Sequence, residues 1–107
     1  MYHGIRPIVD KPVGSRDLED MDAVFDALAH RSRRTILTIL QARGGTMTSR
    51  EIAARFDCSW ASTSRHLRIL KDAGLVRVEL DGREHIYKLD NERLLSVAGA
   101  WIQRFAH

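Results

Sequence analysis

The sequence predicts a mainly helical domain carrying one small β-hairpin, and three observations lead there. Apolar residues recur at the three-and-four spacing of a helix face in separate segments before Gly74 and again after Asp90. Helix punctuation stands where those segments begin and end. Between Gly74 and Asp90 the period changes to two, in "LVRVEL" and "EHIYKL" on either side of "DGR".

Taken in order, "MYHGIRPIVDKPVG" holds both prolines and two of the seven glycines, so residues 1–15 read as an extended or flexible arm. Helical spacing begins after Ser15, with Leu18, Met21, Val24, Phe25 and Leu28 on one face. A second helix follows in "SRRTILTILQARGG", where Ile36, Leu37, Ile39 and Leu40 form a wide stripe and Gly44 and Gly45 supply the stop. The third opens on "TSRE", Thr48 to Glu51. This is a capping box, in which a hydroxyl and a carboxylate satisfy backbone donors reciprocally. Ile52, Ala53 and Phe56 give it an inner face.

After the short break "FDCS", where Asp57 tolerates a left-handed turn, Ser59 is the natural N-cap of a fourth helix that ends at Gly74. A break of that length between two helices is what a helix-turn-helix uses. The hairpin centres on Asp-Gly, a strong two-residue turn signal. The last helix, "NERLLSVAGAWIQRF", is capped by Asp90 or Asn91. Its apolar set of Leu94, Leu95, Ala98, Trp101, Ile102 and Phe105 is too wide for one core contact in so small a domain, which suggests a helix shared between subunits. The order α-α-α-α-β-β-α is that of a winged helix-turn-helix, filling residues 16–107 as one domain.

Composition narrows the function. A formal charge of +3 suits a polyanionic partner without requiring one. Cys58 is the only cysteine, so an internal disulfide and a multi-thiolate metal site are excluded. The five histidines show no helical pairing at three or four spacing, and no metal or other cofactor is expected. Ser64 and His66, two apart on a helix, cannot form a nucleophile–base pair, and no glycine-rich phosphate loop occurs, so catalysis is not expected. Apolar runs such as "TILTIL" are too short to span a bilayer, and no charged-then-apolar leader is seen; a cytoplasmic protein without membrane partners is expected.

The fourth helix carries the functional signal. Its start is crowded with Ser59, Ser62, Thr63 and Ser64, poor mid-helix residues, and it turns basic at Arg65, His66 and Arg68. A recognition helix lies in the major groove and reads bases with its N-terminal residues, so short polar side chains there trade propensity for close approach. Thr63 shares the stripe of Leu67 and Leu70 and belongs inside, whereas Trp60, Ala61, Ser64, Arg65 and Arg68 fall outside. Arg83 at the hairpin tip and Arg77 on the strand leading to it are placed for the adjacent backbone or minor groove. The bland alternative is a capped helix with a solvated basic face and an ordinary turn. His66 divides evenly between donating to a phosphate and fixing the helix from a half-buried position. Trp60 suits either a DNA contact or inward packing.

These residues bear a resemblance to a known family. "ALAHRSRRTILTIL" and "TSREIAARFDCSWASTSRHLRILKDAGLVRVELDGREHIYKL" resemble the ArsR/SmtB winged-helix repressors over roughly Met21 to Leu89, and "STSRHLRILKDAGLV" is the most specific part. The resemblance implies a homodimer joined through its first and last helices, here Leu18, Met21, Phe25, Leu94, Leu95, Trp101, Ile102 and Phe105. It also implies operator binding as a transcriptional repressor, bases read by Trp60, Ala61, Ser64 and Arg65, and phosphates touched by Thr48 and Ser49. Departures are specific. Metal-sensing members carry a cysteine pair where Thr48 and Arg50 stand, and the last helix lacks their Asp and His pattern, so a subgroup without metal is expected. Trp60 replaces a common Gln, and "HRS" replaces a common Asp-Pro-Thr/Ser at the second helix.

The expectation is therefore a homodimeric repressor on double-stranded DNA with a roughly palindromic operator. The recognition helix, about 59–73, enters the major groove, the wing is 81–83, and the effector is unassigned. Two alternatives stay open: a winged-helix protein-interaction module without DNA binding, and a redox-gated repressor using Cys58.

Overall fold

The computed structural model describes residues 12–56 and 58–106, with side chains placed from Asp17 onward. The first helix, α1 (Pro12–Leu28), begins four residues earlier than the periodicity suggests. Proline's fixed φ and missing N–H suit the first helical turn, where that donor has no partner anyway. The expected arm is thus corrected at 12–15, which is helical; residues 1–11 and Asp57 lie outside the described residues.

Next come α2 (Arg31–Ala42), a strand β1 (Thr46–Thr48), α3 (Ser49–Ala53), α4 (Trp60–Asp72), β2 (Val76–Asp81) and β3 (Glu84–Leu89). The C-terminal helix runs as α5 (Asn91–Leu94), a π-helical turn (Leu95–Gly99) and α6 (Ala100–Gln103). Strand β1 is absent from the expected order. Its three residues pair antiparallel with β3, Met47 opposite Tyr87, so the hairpin becomes a three-stranded sheet in the order β1-β3-β2. This addition ties the entrance of the helix-turn-helix to the wing.

The core sits where α1, α2, α4 and the inner sheet face meet. Val24, Ile36, Leu40, Met47, Ile52, Leu67, Leu70, Leu75 and Val76 are each at most 2% exposed. Full burial of one such aliphatic side chain stabilises by roughly 1.5–3 kcal/mol. Ile52 is buried and Phe56 half-buried, but Ala53 faces solvent, so the inner face of α3 is narrower than expected.

The caps are those the sequence spells out. Thr48 Oγ1 accepts from the Glu51 amide while the Glu51 carboxylate accepts from the Thr48 amide at 2.8 Å. Ser59 Oγ caps α4 through the Ser62 amide, and Asp90 caps α5. At α2 the cap is His30, whose Nδ1 accepts from the Ser32 amide at 3.1 Å.

Gly74 ends α4 with φ +80°, and a Cβ there would stand 2.8 Å from Arg93 Nε. Both the left-handed backbone and the close arginine demand glycine. In the hairpin, Asp81 pairs with Glu84 and belongs to β2, leaving Gly82 and Arg83 as the two-residue loop. Gly82 has φ +64° and Arg83 does not share the positive φ, the pattern of a type II′ turn. The wing loop is therefore one residue shorter than 81–83. Among the described residues no helix is long and apolar enough to cross a membrane.

Candidate nucleic-acid interface

Helix α4 is seated by one buried stripe. Thr63, Leu67 and Leu70 are 1%, 1% and 0% exposed, so the helix cannot rotate without opening the core. Everything a partner meets is then set by the opposite face. Trp60, at the first position of the helix, is 45% exposed, which answers the question of its direction. Ala61, Arg65 and Arg68 are exposed and Ser64 is half-buried. The structure brings these five together on one face. Behind Trp60, Ala61 and Ser64 are small, and a helix N-terminus favours anions.

Thr48 and Ser49, at the start of α3, are half-buried, and Thr48 Oγ1 is engaged as an acceptor in its own cap. The amide of Thr48 holds the Glu51 carboxyl below its ordinary range, so this negative charge persists close by. Arg83 is exposed at the wing tip. Arg77 is exposed but alternates with Val76 and Val78, so it projects from the sheet face opposite the one α4 packs on. It is not grouped with Arg65 and Arg68.

Two sets of positive side chains bear on α4 and the wing. Arg33 donates from Nε to the Ala27 carbonyl at 2.7 Å and from Nη2 to the Asp26 carbonyl at 3.1 Å, closing the end of α1. Arg34 donates to the Leu28 carbonyl, and Arg93 to the Ala73 carbonyl at the end of α4 while pairing with Asp20 on α1 at 3.4 Å. By contrast, among the described residues Arg65, Arg68, Lys71, Arg77 and Arg83 make no ion pair or hydrogen bond within the chain. The first set holds the fold; the second is free for a partner.

Sequence reasoning offered His66 as one residue that could fix α4 but missed its partners His30 and Arg33, and missed Arg93. His66 packs against His30, ring centroids 4.5 Å apart, and its Nδ1 lies 3.2 Å from Arg33 Nη1. Arginine only donates, so Nδ1 accepts and the proton of the neutral ring sits on Nε2. Burial, then His30, Arg33 and Arg65, push the His66 pKa down. His66 thus fixes the helix from a half-buried position. Arg93 does the same at the other end. His30 and His66 are 36 positions apart and Arg93 stands 20 residues from Ala73, spacings that no local pattern announces. The fit of Gly74 against Arg93 was the nearest available signal.

Cys58 is exposed at the turn, its Sγ 3.3 Å from Thr63 Oγ1, a contact that joins the turn to the buried stripe. Among the described residues no group of three or more His, Cys, Asp and Glu side chains could hold a metal. Leu18, Leu95, Ile102 and Phe105 are 57–67% exposed on α1 and the C-terminal helix. Trp101 packs edge-on against Phe25 at 5.3 Å and Phe105 at 4.9 Å, so part of this apolar strip is already joined within the chain.

Comparison with known proteins agrees with this geometry. The helix-turn-helix domain family matches residues 28–79, from the end of α1 into β2. The transcriptional repressor SdpR of Bacillus subtilis (strain 168) is 38% identical over 85 residues, covering 79% of this chain and 91% of its own length. The cadmium resistance transcriptional regulatory protein CadC homolog of Staphylococcus aureus is 30% identical over 84 residues, covering 78% of this chain and 69% of its own. The crystal structure of an ArsR family transcriptional regulator superposes with a TM-score of 0.71 at 30% identity, over 80% of this chain and 86% of that one. These relatives are transcriptional regulators, not enzymes. With its helix order, its wing and these likenesses, the chain belongs to the ArsR family of winged helix-turn-helix transcriptional regulators.

Proposed function

We propose that this regulator is a homodimeric, sequence-specific repressor of a roughly palindromic operator. Helix α4 occupies the major groove and Arg83 reaches the adjacent backbone or minor groove. The observation that carries this reading is the division of charge: Arg65 and Arg68 are unpaired on the face α4 turns outward and Arg83 is exposed at the wing tip, while Arg33, Arg34 and Arg93 are engaged by backbone carbonyls. Arg65 is placed to pair with a guanine edge, a contact worth about 1–3 kcal/mol of discrimination. The similarity to a transcriptional repressor at 38% identity supports the direction of control.

The dimer rests on the apolar residues left open on α1 and the C-terminal helix, which a second copy would cover. Joined there, two recognition helices would meet half-sites about one helical turn apart. Thr48 and Arg50 cannot supply the thiolates of a soft-metal site, so binding is expected to ignore chelators.

The test is fluorescence anisotropy on duplex DNA from upstream of the gene, with scrambled competitor, a salt series and a chelator arm. Tight, salt-steep, sequence-dependent and chelator-indifferent binding is the expected result. Binding no tighter than to scrambled DNA, together with no enrichment from a random pool, would overturn it and assign the outward face of α4 to a protein partner. A chelator effect would restore a metal between subunits.

A further inference from the structure

The crevice between α4 and the wing is a second positive feature, adjoining the N-terminal face of α4 and sharing Ser64 and Arg68 with it. It encloses about 230 Å³. Ser64, Leu67, Arg68 and Lys71 line one wall, at helical spacing over two turns, and Val78, His85 and Tyr87 line the other. The register explains the second wall. Val78 faces Tyr87 across the ladder and Leu80 faces His85, so these side chains share one sheet face and run from core to solvent.

The floor is apolar, made by buried Leu67 and half-buried Val78. The rim is polar: a guanidinium, an ammonium, an imidazole and two hydroxyls. No carboxylate lines it. Glu79 sits on the opposite sheet face, paired with Lys88 at 3.1 Å. Arg68, Lys71 and His85 have no partner among the described residues. Burial keeps the Tyr87 hydroxyl protonated, so it meets an anion as a donor. A site rich in donors and lacking acids is built for an oxyanion.

We infer that this crevice seats one backbone phosphodiester of the bound duplex, held by Lys71 and His85 at the rim with Arg68, Ser64 and Tyr87 around it. The inference rests on the DNA-binding reading above and adds a fixed anchor to it. A phosphate clamped between recognition helix and wing sets the depth and register of α4 in the groove without reading sequence. Lys71 and His85, which lie beyond the residues assigned to base or wing contacts, become positioning residues for recognition.

The experiment uses the full chain on a duplex obtained by selection from a random pool. Affinity is measured from 50 mM to 200 mM salt for the wild type, Lys71→Gln, Lys71→Arg and the double variant Lys71→Gln/His85→Gln. Each phosphate contact contributes about 0.9 to the log–log salt slope, so wild-type affinity should fall about three- to fourfold more than that of Lys71→Gln across this range. Lys71→Arg should keep the wild-type slope, and the selected base preference should be unchanged in all variants. Single neutral methylphosphonate linkages, scanned along the backbone, should show one position per half-site that weakens the wild type and leaves the double variant unaffected. Both exposed side chains can change without opening the core, which an unaltered thermal midpoint verifies. An unchanged salt slope, or equal cost of every methylphosphonate in wild type and double variant, would overturn the anchor while leaving DNA binding intact. Failure of the wild type to enrich any duplex would instead remove the reading on which the anchor stands.

Discussion

Helix α4 and the C-terminal helix are both surface helices, yet they expose opposite chemistries. In α4 the buried stripe of Thr63, Leu67 and Leu70 anchors the helix, and its outward face is mainly hydroxyl, Trp60, Ala61 and unpaired cation. In the C-terminal helix only Ala98 is fully buried, and Leu95, Ile102 and Phe105 stay open to solvent. A polar exterior on a rigidly seated helix suits a polyanion that is contacted and released. An apolar exterior on a loosely seated helix suits a lasting partner with the same need. On the function proposed above, the difference separates recognition from assembly, and each side can be broken alone.

The largest contrast is between two leucines. Leu67→Ala empties a fully packed site and should cost about 2–5 kcal/mol of stability, measured by denaturant unfolding, and DNA binding should fall with it. Leu95, 66% exposed, should tolerate Ala in the folded subunit but shift the protein toward monomer in sedimentation velocity at micromolar concentration. Equal losses of stability for both would erase the distinction. Next, Thr48→Ala removes the capping hydroxyl of α3 and should cost about 1 kcal/mol in the same unfolding assay. A loss of affinity far beyond that would mean that Thr48 also touches the duplex.

Smaller still, Arg83→Ala should weaken all sequences alike and lower the salt slope by about one. A change confined to one base pair would make the wing a reader of sequence. The smallest effect is a pH dependence. The His66 pKa is depressed below its ordinary value of 6.5, chiefly by burial. The unfolded chain therefore takes up the proton first, and stability falls as pH drops through 6.5 towards the lower folded value and is level above it. Melting curves between pH 5 and pH 8 should show this slope in the wild type and a shallower one in His66→Gln. The same slope in both would assign it to another group.

What was legible in the sequence was local. The Thr48–Glu51 box, the Ser59 cap, the Gly74 stop and the hairpin around Gly82 each declare themselves within four residues. The direction of Thr63 inward and of Arg65 and Arg68 outward followed from helical spacing alone. The missing parts join distant positions. Strand β1 is three residues, too short to show a period, and exists because Met47 finds Tyr87 forty residues later. The π-helical turn at Leu95–Gly99 has no residue signature. His30, Arg33 and His66 come together only when α1, α2 and α4 pack. Lys71 and His85, a solvated lysine and a strand histidine in the sequence, face one crevice because the wing folds back along α4.

The most direct test of the central claim, that the outward face of α4 reads DNA in a dimer, is selection from random duplexes with the wild type and Arg65→Ala in parallel. The wild type should enrich a site of two related halves about one helical turn apart, and Arg65→Ala should relax preference at one base pair in each half while leaving the spacing unchanged. An identical site from both proteins, or a single half-site from the wild type, would contradict the account.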